Sequence, residues 1–413
     1  MTDKKRYLET KINLLLEMFP AVAVIGARQC GKSTLVKKIR PDWNYYDLES
    51  PDDYQLITND PVAFFSTHEG NIIIDEAQQY PELFKVLRGV IDADRKTKGR
   101  FLFTGSSSPH IVKGITETLA GRIATLEMWP FKQGEFYQVA LTPLYEKIID
   151  NNTKASDFLS IKPVCSPSQA IKLWYKGGFP EPLIESDNNP DYYRHWMENY
   201  IADYVSRDIR SLFPRLNIHN FRRFLTLLAQ FSGHQLNMSH IARSLEVSVS
   251  TVKDYLDIVH QTFLWRNLEP YTKNPLKKVQ KANKGFFRDQ GLLHYYLKIK
   301  DVDQLLLHPV AGFSFESFVI EEIIRGLQAT MATQLSFNYY RTKDKSEIDL
   351  IIEGDFGVIP IEVKLGSTIK RQSLYALENF ISDIKCNYGI VINRGKRIEL
   401  LSEKIIQIPV HFI

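Results

Sequence analysis

An α/β protein of more than one domain is predicted, and three observations predict it. The chain has 413 residues, where a single domain takes about 150. Through residues 1 to about 140, short apolar runs such as Ala21-Val-Ala-Val-Ile-Gly26 alternate with helix patterns, as in a parallel sheet covered on both faces. The last hundred residues read as helix, three strands, helix and strand, a smaller α/β unit with its own core. Hydrophobic residues at 44% and charged residues at 24% exclude a disordered or fibrous chain. No run approaches the roughly 18 to 20 apolar residues of a membrane helix, and the N-terminus does not read as a signal peptide. Three scattered cysteines are too few for a disulfide framework or a zinc site, which fits a reducing cytoplasm.

In chain order, strands are expected at 21–26, 43–48, 71–75 and 100–104, with helices at 31–40 and 80–95 between them. Residues 141 to 170 form a loop-rich bridge, and helices follow around Gly177-Gly-Phe-Pro-Glu-Pro182. From 217 to 265 the chain is helical with one break at Glu246-Val-Ser248, a helix-turn-helix pattern packed through Ile241, Leu245, Val247, Val252, Leu256 and Val259. A basic stretch from Arg266 to Arg288 follows, with Tyr271, Phe286 and Phe287 interleaved, as a wing or hairpin beside the helix pair would have. The last part places a helix at 313–327, strands at 335–340, 348–353 and 358–364, a helix at 371–381 and a strand at 388–393. These signals divide the chain into domains at 1–145, 146–215, 216–300 and 301–413.

Net charge is +4, but its distribution is uneven. Between Arg207 and Lys300, sixteen Lys and Arg stand against six Asp and Glu, so the middle carries a surplus of ten positive charges. That surplus points to nucleic acid or another polyanion, although a solvated basic face would have the same composition.

Gly26-Ala-Arg-Gln-Cys-Gly31-Lys32-Ser33 matches G-x-x-x-x-G-K-[ST] between an expected strand and an expected helix. Backbone N–H groups of such a loop wrap phosphates, and the helix N-terminus adds partial positive charge. Residues Gly26, Ala27, Arg28, Gln29, Cys30, Gly31, Lys32, Ser33 and Thr34 are therefore expected to bind ATP. Lys32 would reach the β- and γ-phosphates, and Ser33 would reach Mg²⁺. Ile72-Ile-Ile-Asp75-Glu76 is an apolar strand ending in two acids, the pattern called Walker B. Asp75 would serve Mg²⁺ and Glu76 would polarise the attacking water. Thr104 or Ser106, at the end of Phe101-Leu-Phe-Thr104-Gly-Ser106, would sense the γ-phosphate. Arg122 is an arginine-finger candidate, acting in cis or in trans, with a surface salt bridge as the competing reading. Cys30 would be reactive if the helix N-terminus lowered its pKa, or else a small filler residue.

Four polar residues stand out in the last domain: Glu316, Asp349, Glu362 and Lys364. Residues two apart on a strand share a face, so Glu362 and Lys364 project together, and Asp349 joins them if its strand pairs alongside. Two carboxylates, Asp349 and Glu362, can hold Mg²⁺ by oxygen while the lysine serves a water. A structural Lys–Glu pair on an edge strand is the plain alternative.

Together these motifs resemble the prokaryotic AAA-superfamily ATP-binding proteins whose C-terminal region is a domain of unknown function similar to a restriction-endonuclease core. The motifs similar to the family's include Leu119-Ala-Gly-Arg122-Ile, Tyr204-Val-Ser-Arg207-Asp208, Thr251-Val-Lys-Asp-Tyr-Leu and Phe315-Glu316. The resemblance covers nearly the whole chain and implies a P-loop ATPase, then a winged helix, then a nuclease-like fold. It implies nucleotide roles for Gly31, Lys32, Ser33, Asp75 and Glu76, and nuclease-like roles for Glu316, Asp349, Glu362 and Lys364. Cys30 departs from the family, which more often has an apolar residue there. The implied cofactors are ATP and Mg²⁺, and the expected partner is DNA rather than a membrane. Self-association or a protein partner is left open. A switch whose nuclease fold binds without cutting is the rival expectation.

Overall fold

A computed structural model describes residues 4–106, 118–189, 191–210, 213–272, 282–342 and 346–413; the side chains of 206–208 are excepted. The chain forms two compact units, one of residues 5–131 with 261–264, the other of 1–4, 132–260 and 265–413.

The first unit is built on five strands: β1 (Ala21–Gly26), β2 (Asn44–Asp47), β3 (Ile72–Asp75), β4 (Phe101–Gly105) and β5 (Ile123–Met128). They pair in the order β2-β3-β4-β1-β5, all parallel. The apolar runs explain this arrangement, because β1, β3 and β4 are buried along their whole length. Ile72, Ile74, Phe101 and Phe103 pack with Leu83, Phe84, Leu87 and Ile91 of the helix Leu83–Ala93. Each such fully buried side chain contributes about 1.5–3 kcal/mol. Parallel strands end together, so the carboxyl ends of β1, β3 and β4 bring the phosphate loop, the acid pair and Thr104 to one edge.

Among the described residues the second unit contains a mixed nine-stranded sheet of β6 (His234–Gln235), β7 (Trp265–Pro270), β8 (Lys284–Phe287), β9 (Ser336–Arg341), β10 (Glu347–Gly354), β11 (Gly357–Val363), β12 (Gly389–Asn393), β13 (Glu399–Ser402) and β14 (Ile405–Pro409). They pair in the order β13-β14-β12-β11-β10-β9-β7-β8-β6. The 216–300 and 301–413 segments share this sheet through the parallel pairing of β7 with β9, where Glu269 lies opposite Asn338. Around the expected break, the helices Met238–Leu245 and Val249–Gln261 are joined through Glu246, which has a left-handed backbone. Asn237 caps the first by accepting from His240 N, and the Ser248 hydroxyl accepts from Thr251 N at the start of the second. β6 precedes this helix pair and β7 and β8 follow it, all antiparallel, with Phe286 and Phe287 fully buried, so those aromatics serve the core.

The glycine motif at 177–182 has a packing explanation. A side chain at Gly177 would meet Asp289 Oδ1 at 2.2 Å, and Gly178 N donates to Asp289 Oδ2 at 2.8 Å. Asp289 also caps the helix Gln290–Tyr296. Nearby, the long buried helix Ala311–Ala329 carries Glu321, which burial alone would push up; Arg266, Arg288 and Arg325 hold it down at about 2. Three charges of the basic middle and its neighbour are thereby committed to the interior.

Candidate functional site

At the phosphate loop, β1 runs straight into the turn and the helix Lys32–Ile39 leaves it, with Gly31 at the N-cap in the left-handed region. Gly26 is required by close approach, since a Cβ there would stand 2.0 Å from Met128 O on β5. Lys32 is buried and donates from Nζ to the carbonyls of Gly26 (3.1 Å) and Ala27 (3.0 Å), which keeps its ammonium inside the loop. Ser33 is half-buried in the first helical turn, Thr34 and Gln29 are exposed, and Arg28 is half-buried. Cys30 is fully buried with Sγ 3.7 Å from Met128 O, so it packs as filler. Arg6 had no motif to mark it, yet its guanidinium donates to Cys30 O at 2.9 Å and to Trp129 O, and lies 4.7 Å from the Phe131 ring. It braces the loop from behind.

The acid pair sits at the end of β3. Asp75 is buried and accepts from Tyr45 OH on Oδ2 and from Thr104 Oγ1 on Oδ1. Burial and then the bond to Asp75 push the Tyr45 phenol up, so it remains a donor. Glu76 has φ +51°, an uncommon left-handed backbone for a residue with a side chain, and such strain clusters at functional sites. Its N–H donates to Asp75 Oδ1 (3.1 Å) and Thr104 Oγ1 (3.2 Å), while its Oε2 accepts from Ser106 Oγ (2.9 Å) and Gln78 Nε2. Thr104 and Ser106 are therefore gathered with the acids, and they hold the carboxylates in place. Arg122 is engaged elsewhere. It forms a two-pronged pair with Asp92 (2.7 and 2.8 Å) and donates to Ala120 O, and the bond to it holds the Asp92 carboxyl below its ordinary value. That arrangement is the salt bridge of the competing reading.

A second cluster lies on the sheet of the other unit. β10 and β11 are antiparallel, with Leu350 opposite Ile361, and Val363 N donates to Asp349 Oδ2 at 2.7 Å. Asp349 and Glu362 are thus neighbours across the strands, and Lys364 forms an ion pair with Glu362. A register shift in β10 between Ile348 and Ile351 falls beside Asp349; such bulges re-aim side chains at working sites. Glu316 arrives from the helix Ala311–Ala329, so all four expected residues converge. Two further residues join them. Lys284 on β8 lies 2.6 Å from Glu316 Oε1, 2.7 Å from Glu347 Oε1 and 3.9 Å from Asp349 Oδ1. Lys284 belongs to the basic stretch of 266–288, but it is buried and faces carboxylates. Glu347 was legible in principle, two residues before Asp349 on the same strand, whereas nothing in the sequence set Lys284 apart from the other lysines.

Burial, then repulsion from Asp349, pushes both Glu316 and Glu362 up to about 8. Burial likewise raises Asp349. Glu362 Oε2 is buried without a hydrogen-bond partner among the described residues. Among the described residues, no three His, Cys, Asp or Glu side chains converge as a protein-only metal cage. The residues still fit Mg²⁺, which takes one or two carboxylates and fills its remaining positions with water or phosphate. The orphaned Glu362 oxygen and the raised carboxyls are the features a cation would relieve.

Family models match three parts of the chain: an AAA domain over residues 18–137, a domain of unknown function (DUF8612) over 168–303, and another (DUF4143) over 311–413. A protein of Mycobacterium tuberculosis, described only as uncharacterized, is 31% identical over 414 residues, covering 99% of this chain and 84% of its own. One from Methanocaldococcus jannaschii, described likewise, is 22% identical over 429 residues, covering 96% and 87%. Among solved structures, the Walker-type ATPase of Pyrococcus abyssi is similar over 70% of this chain and 94% of its own, at 15% identity and TM-score 0.44, too low to decide the fold. With the loop, the acid pair and the parallel sheet in register, the chain belongs to the family of the mycobacterial protein, an AAA-superfamily family with a P-loop ATPase-fold domain.

Proposed function

We propose that this protein binds and hydrolyses ATP, and that its nucleotide state controls a DNA-binding, Mg²⁺-dependent nuclease in the C-terminal half. The convergence of Glu316, Asp349, Glu362 and Lys364 on one buried patch carries the nuclease part, because grouped charges on apolar strands are costly without a purpose. In the ATPase domain, Lys32 faces the β- and γ-phosphates, Ser33 and Asp75 hold Mg²⁺, and Glu76 aligns the attacking water. In the C-terminal half, Asp349 and Glu362 hold Mg²⁺ by oxygen and Lys364 orients a water or the scissile phosphate. Bound Mg²⁺ neutralises phosphate charge and activates water at both sites. Arg122 acts as a finger only after leaving Asp92. Three free cysteines suit a cytoplasmic protein, and no described helix is long and apolar enough to cross a membrane.

DNA contact draws support from the basic middle and the helix pair, whose Arg243 and Lys253 are exposed. Asp254 and Asp257 share the exposed face with Lys253, so the second helix repels phosphate, and contacts fall to Arg243 and the 273–281 segment. A second reading, an ATP-gated switch that binds without cutting, is favoured by one observation: Lys284 already balances the carboxylates. Incubating the full chain with plasmid, linear and single-stranded DNA, with Mg²⁺ and with or without ATP, separates the readings. Metal-dependent cleavage that changes with ATP supports the nuclease; binding with no cleavage supports the switch.

A further inference from the structure

Lys284 is 3% exposed, and its ammonium meets carboxylates brought by two different elements, Glu316 on a helix and Glu347 with Asp349 on β10. An ammonium and a divalent cation ask for the same ligands, carboxylate oxygens at short range. Among the described residues, four carboxyl groups face the patch: Glu316, Glu347, Asp349 and Glu362. The described cations that answer them are Lys284, Lys364 beside Glu362, and Arg341, which lies 3.8 Å from Glu347. Adding a divalent ion while Lys284 stays would crowd two cations onto the same oxygens in a buried place. Exchanging it for Lys284 hands those oxygens from one cation to the other. Exchange is the arrangement that burial favours. It also accounts for Glu362 Oε2, a buried oxygen that accepts no hydrogen bond among the described residues.

We propose that the Lys284 ammonium is the internal cation of this site, and that a divalent metal ion gains Glu316 and Asp349 by displacing it. This rests on the metal-dependent reading of the C-terminal half and names what the metal must compete with. Lys284→Met keeps the aliphatic stem and removes the competitor, so the variant binds metal more tightly than the wild type.

The test is calorimetric titration of Mn²⁺ into the full chain without nucleotide, for wild type, Lys284→Met, Asp349→Ala and the double variant. The expected result is at least about tenfold tighter binding in Lys284→Met, with that gain lost in the double variant. Labelling of wild-type lysines by an acetylating reagent, read by mass spectrometry, gives a measurement that needs no folded variant. Lys284 should become reactive when Mn²⁺ is added and stay protected without it. Binding that Asp349→Ala weakens, but that Lys284→Met leaves unchanged, overturns the exchange and leaves the metal site standing. So does metal binding with Lys284 still protected. No Asp349-dependent binding in any form overturns both.

Discussion

Removing the Lys32 ammonium takes away the point charge that faces the β- and γ-phosphates, so Lys32→Ala should lower ATP affinity by at least about tenfold. Glu76→Gln keeps an oxygen for Ser106 and Gln78 but no longer draws a proton from water. Nucleotide binding should survive in it while hydrolysis falls by about 10²–10⁴. Equilibrium binding of a fluorescent ATP analogue beside a phosphate-release assay checks both, and equal loss of affinity in the two variants would contradict the division of roles. These residues were legible because a phosphate loop demands fixed residue types at fixed spacing. The four C-terminal residues were legible because strand periodicity put Glu362 and Lys364 on one face. Arg6, Tyr45 and Lys284 were not, since each acts across a long stretch of sequence through an interaction that leaves no local pattern.

Among the elements, the helix Ala311–Ala329 has the clearest energetic signature. Glu321 is buried among Arg266, Arg288 and Arg325, and neutralising it strands their charges in the interior. Glu321→Gln should cost about 3–5 kcal/mol, read from the urea-unfolding midpoint of the second unit. Lys277, Lys278 and Lys281, in the segment proposed to contact DNA phosphates, lie outside the described residues. Neutralising them should weaken binding to every sequence and flatten the log–log salt dependence by about one unit for each phosphate left without its lysine. An unchanged slope would make them merely solvated. The expected strands and helices of the first unit agree with the structure to within a few residues, because fully apolar runs bounded by turns are strong signals. β5, β6, β13 and β14 were missed, β6 because residues 217–265 read as helical with a single break. β5 and β13 have mixed burial, and β14, though fully buried, is a short apolar run with no second strand signal to pair it.

Over the whole molecule, pH should act at the metal patch, through Glu316 and Glu362, and also away from it. Burial lowers His294 to about 4; its Nδ1 faces the Tyr175 carbonyl and its Nε2 faces Ser314 Oγ, so it is held neutral. The unfolded chain takes up a proton near pH 6.5 that the folded chain refuses until about 4, so the contribution of His294 to stability falls as pH falls through that window, against an opposite one from the raised Glu316 and Glu362. The His294 contribution should be roughly 3 kcal/mol, read as the difference between wild type and His294→Asn in unfolding curves taken from pH 7 to 4. Glu321, held at about 2, adds its own loss below about pH 4.5. The central claim, that an ATPase domain controls a metal-dependent nuclease in the same chain, is met most directly by one assay. DNA cleavage and ATP hydrolysis are measured in the same reaction for wild type, Lys32→Ala and Asp349→Ala. Asp349→Ala should hydrolyse ATP at the wild-type rate and cut nothing, while Lys32→Ala should lose hydrolysis and lose the response of cleavage to ATP. A wild-type protein that cuts no nucleic acid with any divalent metal or nucleotide, or an Asp349→Ala that cuts as well as wild type, would contradict the account.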